Sequence, residues 1–136
     1  MSTAIVSKIR IEELTNRGDG RGPIYNIPEQ ALEYLGRVAN VHFGLSKPGA
    51  VRGNHYHLRR REALVVFPGQ QWSLHWDEGD GTAPKQRSFD GTRAVLVLLE
   101  AGASHAVRND GHQPLWVMAC SSEPYDPAET VARKLA

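Results

Sequence analysis

Cysteine is almost absent from this 136-residue chain, in which Cys120 is the single one. An internal disulfide and any cysteine-rich zinc module are thereby excluded, and a reducing compartment, read as the cytoplasm, fits best. Long apolar runs are missing as well. The longest aliphatic stretch is 94–99, far short of the roughly 20 residues that a membrane-spanning helix needs. Residues 1–14 carry Lys8, Arg10, Glu12 and Glu13 and no apolar core, so neither a signal peptide nor a membrane span is expected. Nor is there an excess of charge of one sign: 16 Lys and Arg stand against 15 Asp and Glu, for a formal net charge of +1. That balance argues against a general nucleic-acid binder, which would be strongly basic on one face. With no low-complexity segment, charge block or repeat to divide it, the chain is expected to be one domain, 1–136, with its core at about 38–121 and a tail at 122–136.

What is present is mostly strand signal. Ile5, Val6, Ile9 and Ile11 mark residues 4–11 as a first strand, and the turn Asp19-Gly20-Arg21-Gly22 precedes another candidate at 23–27. Residues 28–35 read as a single helical turn or a loop. A strand at 38–45 ends at Pro48-Gly49, and 49–69 supplies two more. Trp72, Leu74 and Trp76 alternate with Ser73 and His75, a period of two. Residues 77–81 form a turn and 82–92 a polar segment. The continuous apolar run 94–99 predicts a strand buried on both faces, followed by strands at 104–107 and 114–120 with a reversal at Asn109-Asp110-Gly111. In the tail, Asp126 as cap, Pro127 at the first position and Glu129 three after the cap predict a short C-terminal helix. The class is therefore all-β: a small antiparallel sandwich or barrel with one terminal helix.

Chemistry concentrates in 49–69, G-A-V-R-G-N-H-Y-H-L-R-R-R-E-A-L-V-V-F-P-G. Residues two apart on a strand share a face, so His55 and His57 project together while Tyr56 points away. Residues 58–61 are enough to turn the chain, after which Glu62 opens the next strand and returns to the same cavity. This is a candidate metal site lacking one more imidazole.

The spacing Gly49-X5-His55-X-His57-X4-Glu62-X6-Gly69 resembles the first motif of the cupin family at every fixed position, and Gly102-X2-His105-X3-Asn109 resembles the second. Glu100 stands where the family usually has proline, and Ala94 where it often has glycine; both shape turns and strand ends. The resemblance implies a double-stranded β-helix, or jelly roll, with His55, His57, Glu62 and His105 as metal ligands at the barrel mouth. Three imidazoles and a carboxylate suit a divalent transition metal (Fe, Mn, Ni, Co or Zn) with positions left for substrate or water.

A narrower resemblance lies in Arg52-Gly53-Asn54-His55-Tyr56-His57, with Asp19-Gly20-Arg21-Gly22 upstream and Pro124-Tyr125-Asp126 downstream. It is similar to the cupin branch of nucleotide-sugar isomerases, including the 3,4-ketoisomerases of dTDP-4-keto-6-deoxysugars, and more loosely to the 3,5-epimerases. Carried over, it implies that Arg52 binds the diphosphate while His55 and His57 act as base and acid beside a ketone. The two resemblances conflict, because an imidazole whose lone pair holds a metal is a poor proton acceptor. Either the histidines hold metal and another group moves protons, or they move protons themselves. A metal-dependent dioxygenase or lyase and a non-catalytic ligand-binding cupin are the alternatives to a sugar isomerase or epimerase.

The expected partner is a small-molecule substrate, with neither nucleic acid nor membrane, and the resemblance to small cupins implies a homodimer formed through edge strands, consistent with the need to cover sheet edges. Arg59, Arg60 and Arg61 read as a solvated face rather than a phosphate-binding rim. Trp72, Trp76 and Trp116 read as core or dimer interface. His42 is placed beside the cavity behind the principal histidines, His75 and Cys120 are read as structural, and Tyr34 and Tyr125 are acid candidates without geometric support.

Overall fold

Short alternating segments need cross-strand partners to bury their apolar faces, and the described residues supply ten of them. The structure is a computed structural model and describes residues 7–79 and 81–136. In chain order the elements are strand β1 (Ile9–Glu13), helix α1 (Glu29–Leu35), β2 (Asn40–Ser46), β3 (Val51–His57), β4 (Glu62–Val66), β5 (Trp72–Asp77), β6 (Lys85–Phe89), β7 (Val95–Leu99), β8 (Ser104–Asn109), β9 (Leu115–Ser121), a 3-10 turn (Pro127–Glu129) and β10 (Thr130–Ala132). Every pairing is antiparallel. Two five-stranded sheets result, ordered β1-β7-β4-β9-β2 and β10-β3-β8-β5-β6. They face each other as the expected double-stranded β-helix.

Between the sheets lies a core of Leu64, Val66, Trp72, Leu74, Phe89, Val97, Leu99, Val107 and Leu115, with Trp72 stacked on Phe89 at 4.1 Å between ring centroids. A second apolar layer covers the outside of the first sheet, where Ala31 and Leu35 of α1 pack with Leu14 on Ala63, Val65, Leu96, Leu98 and Cys120. That layer explains why β4 and β7 are buried along their whole length. An apolar run is required wherever both faces of a strand are covered.

Four expectations change. The first strand runs 9–13; its expected residues 4–6 lie outside the described residues. Residues 23–27 form no strand, and Tyr25 and Ile27 pack against the outer layer between Pro23 and Pro28. The polar segment 82–92 contains β6, whose Lys85, Gln86, Arg87 and Ser88 are exposed because the strand lies at a sheet edge. The C-terminal helix is not formed. Asp126 does cap, accepting a bond from Ala128 N at 3.0 Å, but one 3-10 turn follows and the chain then extends as β10. There it pairs with the open edge of β3, Thr130 opposite His57 and Ala132 opposite His55. Satisfying an edge of backbone donors and acceptors outweighs one more helical turn. The tail beyond is tied down by Arg133, which donates two hydrogen bonds, at 3.0 and 2.9 Å, to the buried carboxylate of Asp77. No helix among the described residues is long and apolar enough to cross a membrane.

Candidate active site

Alternation along β3 would place Arg52 on the face opposite His55 and His57, yet Arg52 and His55 border the same cavity. A β-bulge makes the difference. Pairing with β8 runs Val51 to Arg108, Arg52 to Val107 and Gly53 to Ala106, then skips to His55 opposite His105. Asn54 is the extra residue, at a φ of 55°, and the added residue reverses the side on which the following side chains emerge. Gly53 cannot be replaced without cost, since a Cβ there would lie 2.6 Å from the His105 carbonyl oxygen at a φ of 98°. Gly53→Ala is expected to cost about 1–3 kcal/mol in a urea titration and to weaken ligand binding by displacing His55. The side chain of Asn54 clamps the tail, its Oδ1 accepting from Leu135 N at 2.8 Å and Ala136 N at 3.1 Å.

The four expected ligand residues come together. The ligand nitrogens of His55, His57 and His105 lie within 4.8 Å of one another. Glu62 approaches His57 Nε2 at 3.5 Å and His105 Nε2 at 3.7 Å, and its Oε2 accepts from Ser121 Oγ at 3.4 Å. His57, Glu62 and His105 are buried, while His55 is half-buried. Arg52 stands exposed at the rim, donating from Nε to Ser46 Oγ at 3.0 Å and from Nη2 to the Leu45 carbonyl at 2.8 Å. His42, Phe43, Arg52, His55, Glu62 and His105 line a cavity of about 370 Å³. A neighbouring hollow of about 650 Å³ shares His42 and His55 and adds Arg60, Tyr125 and Thr130. His42 lines the cavity itself rather than standing behind the principal histidines, whereas Tyr34 bonds Glu100 at 3.1 Å away from both hollows. His75 is buried and paired with Ser73 at 2.9 Å.

Two residues belong here that the sequence reading placed elsewhere. Arg60 is buried, not solvated. Its Nη2 donates to His57 Nε2 at 3.1 Å and stands 3.4 Å from Glu62 Oε2. Arg59 and Arg61 do face solvent, paired with Asp126 and Glu100. The available signal was the alternation of β4 run backwards, which puts Arg60 on the face of Glu62 and Leu64. Glu129, assigned above to the tail helix, is buried against the other side of His57, 3.6 Å from Nδ1. Thr130 Oγ1 lies 3.3 Å from the same nitrogen. These acceptors place the ring proton on Nδ1 and leave the Nε2 lone pair to Arg60. No sequence pattern ties Glu129 to His57.

Electrostatics follow from burial. Desolvation, reinforced by Arg60, pushes His57 down to about 3. Desolvation and then the neighbouring His105 bring His55 to about 4. His105 also falls to about 4, through desolvation opposed by its bond to the Ala103 carbonyl at 3.2 Å. Burial raises Glu62 against the pull of Arg60. All three imidazoles are neutral at pH 7.

As folded, this set does not fit a divalent metal. Arg60 takes up the Nε2 lone pair of His57. A metal bound there at about 2.1 Å would stand within about 5 Å of a guanidinium nitrogen 3.1 Å from the same atom. Repulsion at that range is about 3 kcal/mol per unit of metal charge at an effective dielectric constant near 20.

Paired sheets with a histidine-lined cavity at the barrel mouth define a protein of the cupin class. More narrowly, the chain belongs to the Polysaccharide biosynthesis C-terminal domain family, whose profile matches residues 18–131. It is similar to the spore coat polysaccharide biosynthesis protein SpsL of Bacillus subtilis (strain 168), 22% identical over 139 residues covering 96% of this chain and 89% of that one. Among solved structures it is similar to ChmJ, a 3'-monoepimerase from Streptomyces bikiniensis in complex with dTDP-quinovose. That match has a TM-score of 0.77 at 22% identity, covering 97% of this chain and 72% of that one. It also resembles a mutant of the 3,4-ketoisomerase QdtA from Thermoanaerobacterium thermosaccharolyticum in complex with TDP-4-keto-6-deoxyglucose. There the TM-score is 0.72 at 12% identity, covering 93% of this chain and 88% of that one. At these identities the structural likeness establishes the fold.

Proposed function

We propose that the chain is a cytoplasmic sugar isomerase or epimerase that acts on a keto-sugar carried by a nucleotide diphosphate. The observation that carries this reading is a desolvated, neutral imidazole, His55, facing a cavity with an arginine at its rim. His55 makes no side-chain hydrogen bond to protein among the described residues, so its lone pair is free for substrate. It takes the proton from the carbon beside the ketone, and the electron pair moves onto the carbonyl oxygen as an enediolate. The protonated imidazole then returns the proton from the same face to the neighbouring carbon, while the hydroxyl proton passes between the oxygens; inversion at the first carbon, the epimerase outcome, would need a second acid on the opposite face of the ring. No oxidant or reductant is consumed. Arg52 meets the diphosphate at the rim by charge-assisted hydrogen bonds. His57, wedged between Glu129 and Arg60, holds the arrangement, and His55 serves as both base and conjugate acid.

The relatives' ligands, dTDP-quinovose and TDP-4-keto-6-deoxyglucose, support this substrate class. The test is NMR of dTDP-4-keto-6-deoxyglucose in D2O with the enzyme. Deuterium is expected at a carbon beside the ketone; no exchange, together with no binding of dTDP at millimolar concentration, would refute the reading. The working form is a homodimer. β2 is an edge strand of the first sheet and leaves Val41, Phe43 and Leu45 exposed, Phe43 by 71%. Such an apolar edge calls for self-pairing. Light scattering is expected to give twice the chain mass of 15.0 kDa, and a monomer at micromolar concentration would exclude it.

A further inference from the structure

The turn between β3 and β4 presents three consecutive arginines, and only the middle one enters the protein. Arg59 and Arg61 are exposed and paired with surface carboxylates. Arg60 has a side chain only 9% exposed and is anchored through its backbone N to Glu129 Oε1 at 3.4 Å. Its Nη2 lies between His57 Nε2 and Glu62 Oε2, at 3.1 and 3.4 Å. The Nε–H at the other end of the guanidinium is buried and has no partner, so the group is held by the acceptors at its tip. Those two acceptors belong to the four side chains that a metal would need, and the other two, His55 and His105, complete the ring around the same ground. A guanidinium is a permanent cation with donors only and no lone pair to offer a metal. It therefore both occupies and repels.

We propose that Arg60 is the resident cation of this site: it stands on a latent His55–His57–Glu62–His105 metal centre, keeps divalent metal out, and makes the ground receptive to an anionic oxygen instead. The arrangement has a consequence that a solvated or purely structural arginine would not produce. Removing the charge while keeping the bulk uncovers four converging ligands, so the protein gains metal affinity. The inference stands apart from the substrate assigned above, since its test involves only protein and metal.

Metal-stripped wild type, Arg60→Met and Arg60→Met/Glu62→Gln are titrated with Co²⁺, read by calorimetry and by the visible absorption of bound cobalt, with circular dichroism confirming the fold of each. The expected result is at least about a 100-fold gain in affinity for Arg60→Met over wild type, with a stoichiometry of one, lost again in the double variant. If Arg60→Met melts below the assay temperature, Arg60→Gln carries the same comparison. Stoichiometric binding by wild type as tight as by the variant overturns the proposal. So does the absence of binding by a folded Arg60 variant, because the guanidinium would then not be what keeps metal out.

Discussion

His55→Asn turns over the keto-sugar about 10³-fold more slowly than wild type, within the range by which a positioned acid–base group accelerates proton transfer, and melts within a few degrees of it. The asymmetry comes from where the ring sits. His55 is half-buried and borders both hollows, and asparagine keeps a polar group of similar reach there. Its loss removes a proton acceptor and leaves no buried partner stranded. His57→Asn behaves in the opposite way. That ring is 3% exposed and separates Glu129 from Arg60, so its removal strands a buried carboxylate and a buried guanidinium. A stability loss of about 2–4 kcal/mol is expected for it. Steady-state turnover paired with urea unfolding separates the two variants. A His55→Asn enzyme with near-wild-type turnover would remove His55 from the chemistry.

Acidification from pH 7 to 5 destabilises the fold, with about 4 kcal/mol of the loss coming from its two most buried imidazoles. His57 and His105 titrate near 3 and 4 in the folded protein and near 6.5 when unfolded. The unfolded chain therefore binds protons first as the pH drops, and stability falls with it. The loss begins below about pH 6.5 and grows until the folded values are reached. Each group contributes about 1.4 kcal/mol per pH unit, so 1.5 units give about 2 kcal/mol for each of the two buried rings. Glu62 works the other way, because burial raises it and its ionised form costs stability at neutral pH. Its protonation returns part of the loss, while the half-buried His55, also brought down to about 4, adds to it. Urea midpoints at pH 7 and 5 measure the effect, and replacing both rings by glutamine is expected to flatten it. A wild type equally stable at both values would show that these imidazoles are not desolvated.

The legible part of the site was the part governed by local geometry. His55 and His57 share a face because a strand has a period of two, and Glu62 returns to them because four residues suffice for the turn. Burial on both faces of β7 was readable from its unbroken apolar run. What escaped was set by contacts between distant segments. β6 is polar because it lies at an edge, a position that no residue within it announces. The segment 126–132 carries good helix-start signals, and Asp126 does cap, but the unpaired edge of β3 draws the chain into a strand and drives Glu129 against His57.

The residues alone determined the class of fold and the four side chains that converge, since alternation and spacing are local and repeat along the chain. The tertiary structure decided which cation stands among them. Three adjacent arginines are chemically alike, and only the bulge at Asn54, the turn after β3 and the arrival of Glu129 send Arg60 inward while its neighbours stay in water. Burial of a charge depends on partners gathered from the whole chain, and no single stretch of sequence contains them.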